Sequence, residues 1–561
     1  MSEDFFYFNG VNGSTGEYLL PPLSPEQVSK IAKGEELEQT HLNELKKKNR
    51  QVKGLEPDEF APIEGVDPKN LAETGWGVIF AYNGNPAIRE ALNPLLKLRQ
   101  QQATQKKEHY YQEYIGKKGY RPGDSKNKFL ARHKVGPGPA DPNKMPYYLF
   151  IVGDPETIPY CFQYQLDVQY AVGRIHFHTL EEYAHYAQSI VEAETGGKLS
   201  LSRNASFFGV NHDEHTKSST NYLIKPLAKW IAQDQPDWRV QTLSEAETTK
   251  QRLAQLLGGN ETPSLLFTAS HGVRFDNGDP RQLHHQGALL CQDCPNPREW
   301  RGAYPEDFYL CADDISDNAR LLGLIAFHFA CYGAGTPKMD DFAHQAFSER
   351  SAIAPHAFVA RLPQRLLGHP KGGALAVVGH VERAWGYSFV WQETGAQLQV
   401  FQSTIKRLLE GHPVGSALEY FNQRYAELAS DLSTVLEDIK YGEDSDDSSV
   451  ADMWTANNDA RSYTIIGDPA VRLVIGDATA NTERPIIEKV TLPSALMTRH
   501  QNEDLAFDES VLKQAQMDLI KSLEQFLEKV QQAPAPQAEQ LQSTVLAVTS
   551  LLNALKTQSE Y

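Results

Sequence analysis

A histidine and a cysteine occupy equivalent places in two short apolar runs: Leu265-Leu266-Phe267-Thr268-Ala269-Ser270-His271-Gly272 and Leu324-Ile325-Ala326-Phe327-His328-Phe329-Ala330-Cys331-Tyr332-Gly333. A thiol attacks as its thiolate and needs a proton acceptor to form it, and imidazole near neutrality can take that proton and later return it to a leaving amine. His271 and Cys331 are therefore the candidate catalytic pair. The glycines close behind them let a substrate carbonyl approach the main chain, so the N–H groups of Gly272 and Cys331 are the candidate oxyanion hole.

The runs must also position these residues. Neither has helical spacing, both are rich in aromatic and branched residues, and both stop abruptly at a polar residue, as buried parallel strands do. In open α/β sheets ligands bind beyond the carboxyl ends of the strands, so neighbouring strands would bring His271 and Cys331 together. Read singly, a buried Cys is a small hydrophobe and a buried His a packed core residue; the matching contexts favour chemistry.

Further strands are expected at 77–81, 147–154, 205–210, 239–243, 374–380 and 462–469. Helices are expected at 25–49, with Ser24 as its cap, and at 87–114, 180–194, 221–233, 245–257, 360–367, 392–410 and 414–439. Strand and helix alternate, which implies a mostly parallel, doubly wound sheet. The segment 462–474 reads as the last sheet edge, and the acidic stretch 442–449 as a solvated linker. Apolar stripes at 508–531 and 541–555, separated by Pro534-Ala535-Pro536, predict a helical hairpin appended to the sheet, which either docks on the chain or serves a protein partner.

The insertion 273–319 between the two site strands is read as one wall of a substrate cleft. It holds Cys291-Gln292-Asp293-Cys294, and zinc bound there with His284, His285 or Cys311 is a weaker reading, because one CxxC without a second pair is a weak signal. No cofactor is expected. After the strand 374–380 comes Glu382-Arg383-Ala384-Trp385-Gly386-Tyr387, where Trp385 is either a substrate-stacking wall or a packed loop aromatic.

At 561 residues the chain exceeds one ordinary core, and 40% hydrophobic residues suffice for a large buried sheet. With 54 basic against 72 acidic residues the net charge is −18, which argues against nucleic acid or an anionic membrane as partner. The acidic start Met1-Ser2-Glu3-Asp4, the lack of an apolar run of about 18 residues, and five scattered cysteines lead to the expectation of a cytoplasmic protein without a disulfide framework.

Several segments resemble, in order, the gingipain-type (C25) cysteine peptidases of the caspase-like clan. They are 149–159, Val172-Gly173-Arg174-Ile175, Ser270-His271-Gly272, Ala330-Cys331 with Gly333, 374–385 and Ile466-Gly467-Asp468-Pro469. The resemblance spans roughly 145–475, and His271 and Cys331 fall on that family's catalytic pair. It implies a caspase-like α/β/α sandwich and an endopeptidase that acts on protein or peptide substrates through an acyl-enzyme. It also implies that an acid in the loop 211–217, Asp213 or Glu214, could select a basic P1 side chain. The expected organisation is an N-terminal region 1–144 containing a first α/β unit, a catalytic domain 145–477, and a linker with the helical hairpin 478–561. An intracellular regulatory or defence role is the expectation that kinship and location suggest, and a catalytically inactive scaffold on the same fold is the alternative.

Overall fold

The structure is a computed structural model. It describes residues 62–490, apart from 64, 198, 296–299, 301, 343–350, 392–394, 443–446, 477–483 and 488–489, together with isolated positions from 520 to 549. The chain divides into two compact units, Met1–Asp58 and Glu59–Tyr561. All described residues belong to the second. The helix expected at 25–49 and nearly all of the expected C-terminal hairpin lie outside the described residues.

A ten-stranded sheet organises this unit. Its strands are β1 (Trp76–Phe80), β2 (Tyr111–Tyr114), β3 (Tyr148–Val152), β4 (Ala171–Ile175), β5 (Asn204–Gly209), β6 (Arg239–Ser244), β7 (Leu265–Ala269), β8 (Ile325–Phe329), β9 (Ala376–His380) and β10 (Tyr463–Gly467). They lie in the order β2-β1-β3-β4-β10-β9-β8-β7-β5-β6. Every residue of β1, β3, β4, β7, β8, β9 and β10 is buried. Successive strand side chains point to opposite faces, so burial at every position means that both faces are covered by other layers. Helices Asn93–Ala103, Leu180–Thr195 and Arg361–Leu367 form one packed group, and Lys225–Asp234, Gln399–Leu409 and Glu419–Lys440 another. The result is the expected α/β/α sandwich around a mostly parallel sheet.

All neighbouring strands run parallel except β9 and β10. That one antiparallel pairing divides the sheet into two halves of opposite direction. The carboxyl ends of β5 to β9 therefore share one edge, and the same edge receives the amino end of β10, where His380 lies opposite Tyr463.

Three expectations need correction. The segment 462–469 is not a sheet edge: β10 sits between β4 and β9, and its apolar residues are buried on both faces. The long helix expected over 87–114 is two helices, Pro86–Ala91 and Asn93–Ala103, followed by the edge strand β2. Pro94 cannot donate an N–H and starts the second helix, while Tyr111 leaves the helical path to stack on Trp76 at 5.8 Å. The acidic stretch is not all linker either, because residues from Asp447 begin a helix, Asp447–Arg461. Its buried face is largely polar, with Thr455, Asn457, Asn458 and Asp459, and so has no apolar stripe to reveal it.

Candidate active site

Three spatially consecutive strands deliver the site. β7 ends at Ala269, paired with Phe329 at the end of β8, and the Ser270 N–H donates to the Phe329 carbonyl at 3.2 Å. His271 and Cys331 thus leave adjacent strands at the same height. The segments touch: a Cβ on Gly272 would stand 1.8 Å from the Cys331 carbonyl oxygen and 2.9 Å from its nitrogen, so only glycine fits.

On the other side of β7, the chain leaving β5 carries Asp213. This residue caps helix Glu214–Ser219, its Oδ1 accepting the Thr216 N–H at 3.0 Å. Its Oδ2 lies 3.0 Å from His271 Nε2. Burial works to raise the Asp213 pKa, but the Thr216 N–H and the adjacent His271 outweigh it and hold the carboxyl at about 2. An ionised carboxylate only accepts, so Nε2 of a neutral His271 carries the proton and Nδ1 keeps the lone pair. Next to it, the His212 ring lies nearly parallel to His271 at 6.5 Å, with its Nε2 2.7 Å from the Cys291 carbonyl.

Cys331 is half-buried. Burial pushes its thiol up, against the Ala384 N–H and the Arg383 guanidinium, which favour the thiolate. The Ala384 N–H reaches Sγ at 3.3 Å. The turn after the cysteine is tight: Tyr332 has φ +59° and donates its N–H to the carbonyl of Glu382, itself at φ +75°. Two non-glycine residues in the left-handed region, one on each touching loop, mark stored backbone strain beside the sulfur. Below them Arg383 forks onto Asp340 at 2.9 and 2.7 Å and contacts Glu382, whose carboxyl is pushed up to about 7, chiefly by burial.

The remaining expected site residues are placed as follows. Glu214 is 74% exposed and pairs with Lys217 at 3.2 Å. Trp385 is half-buried beside Ala384; its backbone N–H donates to Asp459 Oδ1 at 2.9 Å, and its ring lies 4.9 Å from that of Phe342. The insertion folds as a lobe with its own small core of Val273, Phe275, Leu290 and Tyr309 around the hairpin Leu289–Leu290 with Tyr309–Leu310. It braces the site directly, since the Leu290 N–H donates to the His271 carbonyl at 3.0 Å and Gln292 accepts the Asn211 N–H at 2.8 Å. Cys291 and Cys294 point their sulfurs at the carbonyls of Leu289 and Pro295 (3.3 and 3.1 Å), and the group of possible metal donors found among the described residues contains neither.

Sequence reasoning did not find the bond between Asp213 and His271, the Ala384 contact to sulfur, or the Asp340–Arg383–Glu382 cluster. A trace of the first exists in the sequence: Asp213-Glu214-His215-Thr216 has capping-box spacing, which marks Asp213 as a cap whose carboxylate is already engaged.

No family model matches the chain, and no curated protein matches it. Among solved structures it is similar to one described only as a protease, at 11% identity over 72% of this chain and 80% of that one, with a TM-score of 0.41. It is also similar to the Arg-specific cysteine proteinase gingipain R, at 13% identity over 74% of this chain and 80% of that one, with a TM-score of 0.43. A third is the complex of the Porphyromonas gingivalis RgpB pro- and mature domains, at 11% identity over 72% of this chain and 80% of that one, with a TM-score of 0.40.

Proposed function

We propose that the chain is a cysteine endopeptidase in which Cys331 is the nucleophile, His271 the general base and acid, and Asp213 the residue that positions the imidazole. The observation that carries this reading is the 3.0 Å contact between Asp213 and His271 Nε2, at a strand end directly beside the strand end bearing Cys331. Because burial favours the neutral thiol, His271 Nδ1 takes the Cys331 proton as sulfur attacks the scissile carbonyl. The carbonyl oxygen becomes an oxyanion, for which the N–H groups of Gly272 and Cys331 are the proposed donors. The imidazolium, stabilised by Asp213, then protonates the leaving amine as the C–N bond breaks. Water activated by His271 hydrolyses the acyl-enzyme and restores the thiol.

The substrate class we propose is a protein or peptide, with Trp385 on the cleft wall. A basic P1 side chain is the preference we assign, and it rests on Glu214: Asp213 is committed to His271, while Glu214 is 74% exposed and held by a surface pair with Lys217 that a substrate cation can replace. A reducing compartment such as the cytoplasm suits a chain whose five cysteines are all unpaired. Among the described residues no helix is long and apolar enough to cross a membrane.

The test is a peptide library assayed with the wild type, Cys331→Ala and His271→Ala, alongside labelling by a thiol-directed electrophile. Cleavage that both variants abolish, with label on Cys331, supports the reading. A wild type that cleaves nothing and leaves Cys331 unlabelled in the folded protein overturns it in favour of a scaffold.

A further inference from the structure

The insertion lobe carries a second group of chemically capable side chains, which the peptidase reading does not use. His285 ends a short helix, Gln282–His285, and Cys311 follows the hairpin strand Tyr309–Leu310; both are buried. Asp313 stands at the solvent edge with 77% of its side chain exposed. One donor atom from each of these three residues lies within 4.8 Å of the others. His285 Nε2 is 3.2 Å from Asp313 Oδ2, about the spacing of two donors that share a tetrahedral ion at 2.0–2.2 Å.

The surroundings suit a cation. His285 Nδ1 lies 2.9 Å from the Tyr309 hydroxyl, so that ring nitrogen has a hydrogen-bond partner while Nε2 faces Asp313, the division of roles seen in metal-bound histidines. Asp314 accepts the Cys311 N–H at 2.9 Å and fixes the turn that presents the sulfur.

We propose that His285 Nε2, Cys311 Sγ and the Asp313 carboxylate bind one Zn²⁺, with water at the fourth, solvent-facing position. A nitrogen, sulfur and oxygen donor set selects a borderline-soft divalent ion over Mg²⁺ or Ca²⁺. Binding displaces the Cys311 proton, so affinity falls as pH is lowered. The ion would tie helix Gln282–His285 to the Tyr309–Leu310 strand and so stiffen the lobe that holds the His271 carbonyl.

The test needs no peptidase activity. Full-length protein stripped with chelator is titrated with Zn²⁺ against a chromophoric competitor, and with Co²⁺ while thiolate-to-cobalt absorption is followed. One equivalent should bind, with the charge-transfer band lost in Cys311→Ser and retained in Cys291→Ser and Cys294→Ser. Zn²⁺ affinity should fall at least about 10-fold in Asp313→Asn, an exposed change that leaves the fold intact, because losing a ligand costs no less than losing an outer-shell partner. Absence of stoichiometric binding by the folded wild type overturns the proposal, as does a cobalt band that survives in Cys311→Ser or unchanged affinity in Asp313→Asn.

Discussion

The carboxylate of Asp213 divides its oxygens between two tasks, Oδ1 capping a helix and Oδ2 holding His271. Asp213→Asn keeps the shape but offers an amide that stabilises the wrong imidazole tautomer and cannot offset an imidazolium. The expected outcome is a fall in kcat of about 10²–10⁴-fold with KM little changed, read by steady-state kinetics on a peptide that the wild type cleaves. The same carboxylate makes a pH-dependent contribution to stability. Its pKa is depressed to about 2 in the fold against about 3.9 unfolded, so its contribution is present above pH ~4 and lost as pH falls through about 2. Urea unfolding of wild type and Asp213→Asn should differ at pH 6 and converge toward pH 2.

At the scale of elements, the site depends on how closely two strand-end turns approach. Gly272 lies so near the Cys331 carbonyl that any Cβ must push the β7 and β8 ends apart. Gly272→Ala should cost about 1–3 kcal/mol of stability, as overpacking does, and should lower kcat beyond what the stability loss explains, because the spacing between His271 and Cys331 opens. Chemical denaturation and kinetics on the same preparation measure both. The insertion lobe has a comparable positioning role, since its hairpin holds the His271 carbonyl and its Gln292 holds the loop before Asp213.

Across the whole molecule, the end of β10 anchors one half of the sheet to its helices. Asp468, fully buried, accepts from Arg99 Nε at 2.7 Å and Trp76 Nε1 at 2.9 Å, while Arg99 also grips Glu194 at 2.7 Å. Arg99→Ala would leave the buried Asp468 and the half-buried Glu194 without their cation, and the expected loss is about 3–5 kcal/mol in urea unfolding. Arg203→Ala, which breaks the exposed pair with Asp237 at 3.0 Å, should change stability by less than about 1 kcal/mol. The motif Ile466-Gly467-Asp468-Pro469 is thus a structural anchor as much as a strand end.

Much of this arrangement was legible along the chain. Uninterrupted apolar runs marked the interior strands, because a strand buried on both faces needs no alternation, and each of the two key runs ended in the residue that now stands at the sheet edge. Residue type and strand-end context also picked out His271, Cys331 and Gly272, which the fold sets on touching segments. The sequence left the order of strands open, and with it the reversal of β10, because pairing direction is a contact between residues hundreds of positions apart and leaves no local periodicity. It hid helix Asp447–Arg461, whose polar residues are buried through hydrogen bonds. It also left Asp213 looking like a loop charge for a substrate. Only packing β5 beside β7 brought that carboxylate to His271, and only the folded insertion gathered His285, Cys311 and Asp313 from separate turns, since distances between side chains are set by tertiary packing and not by spacing in the chain.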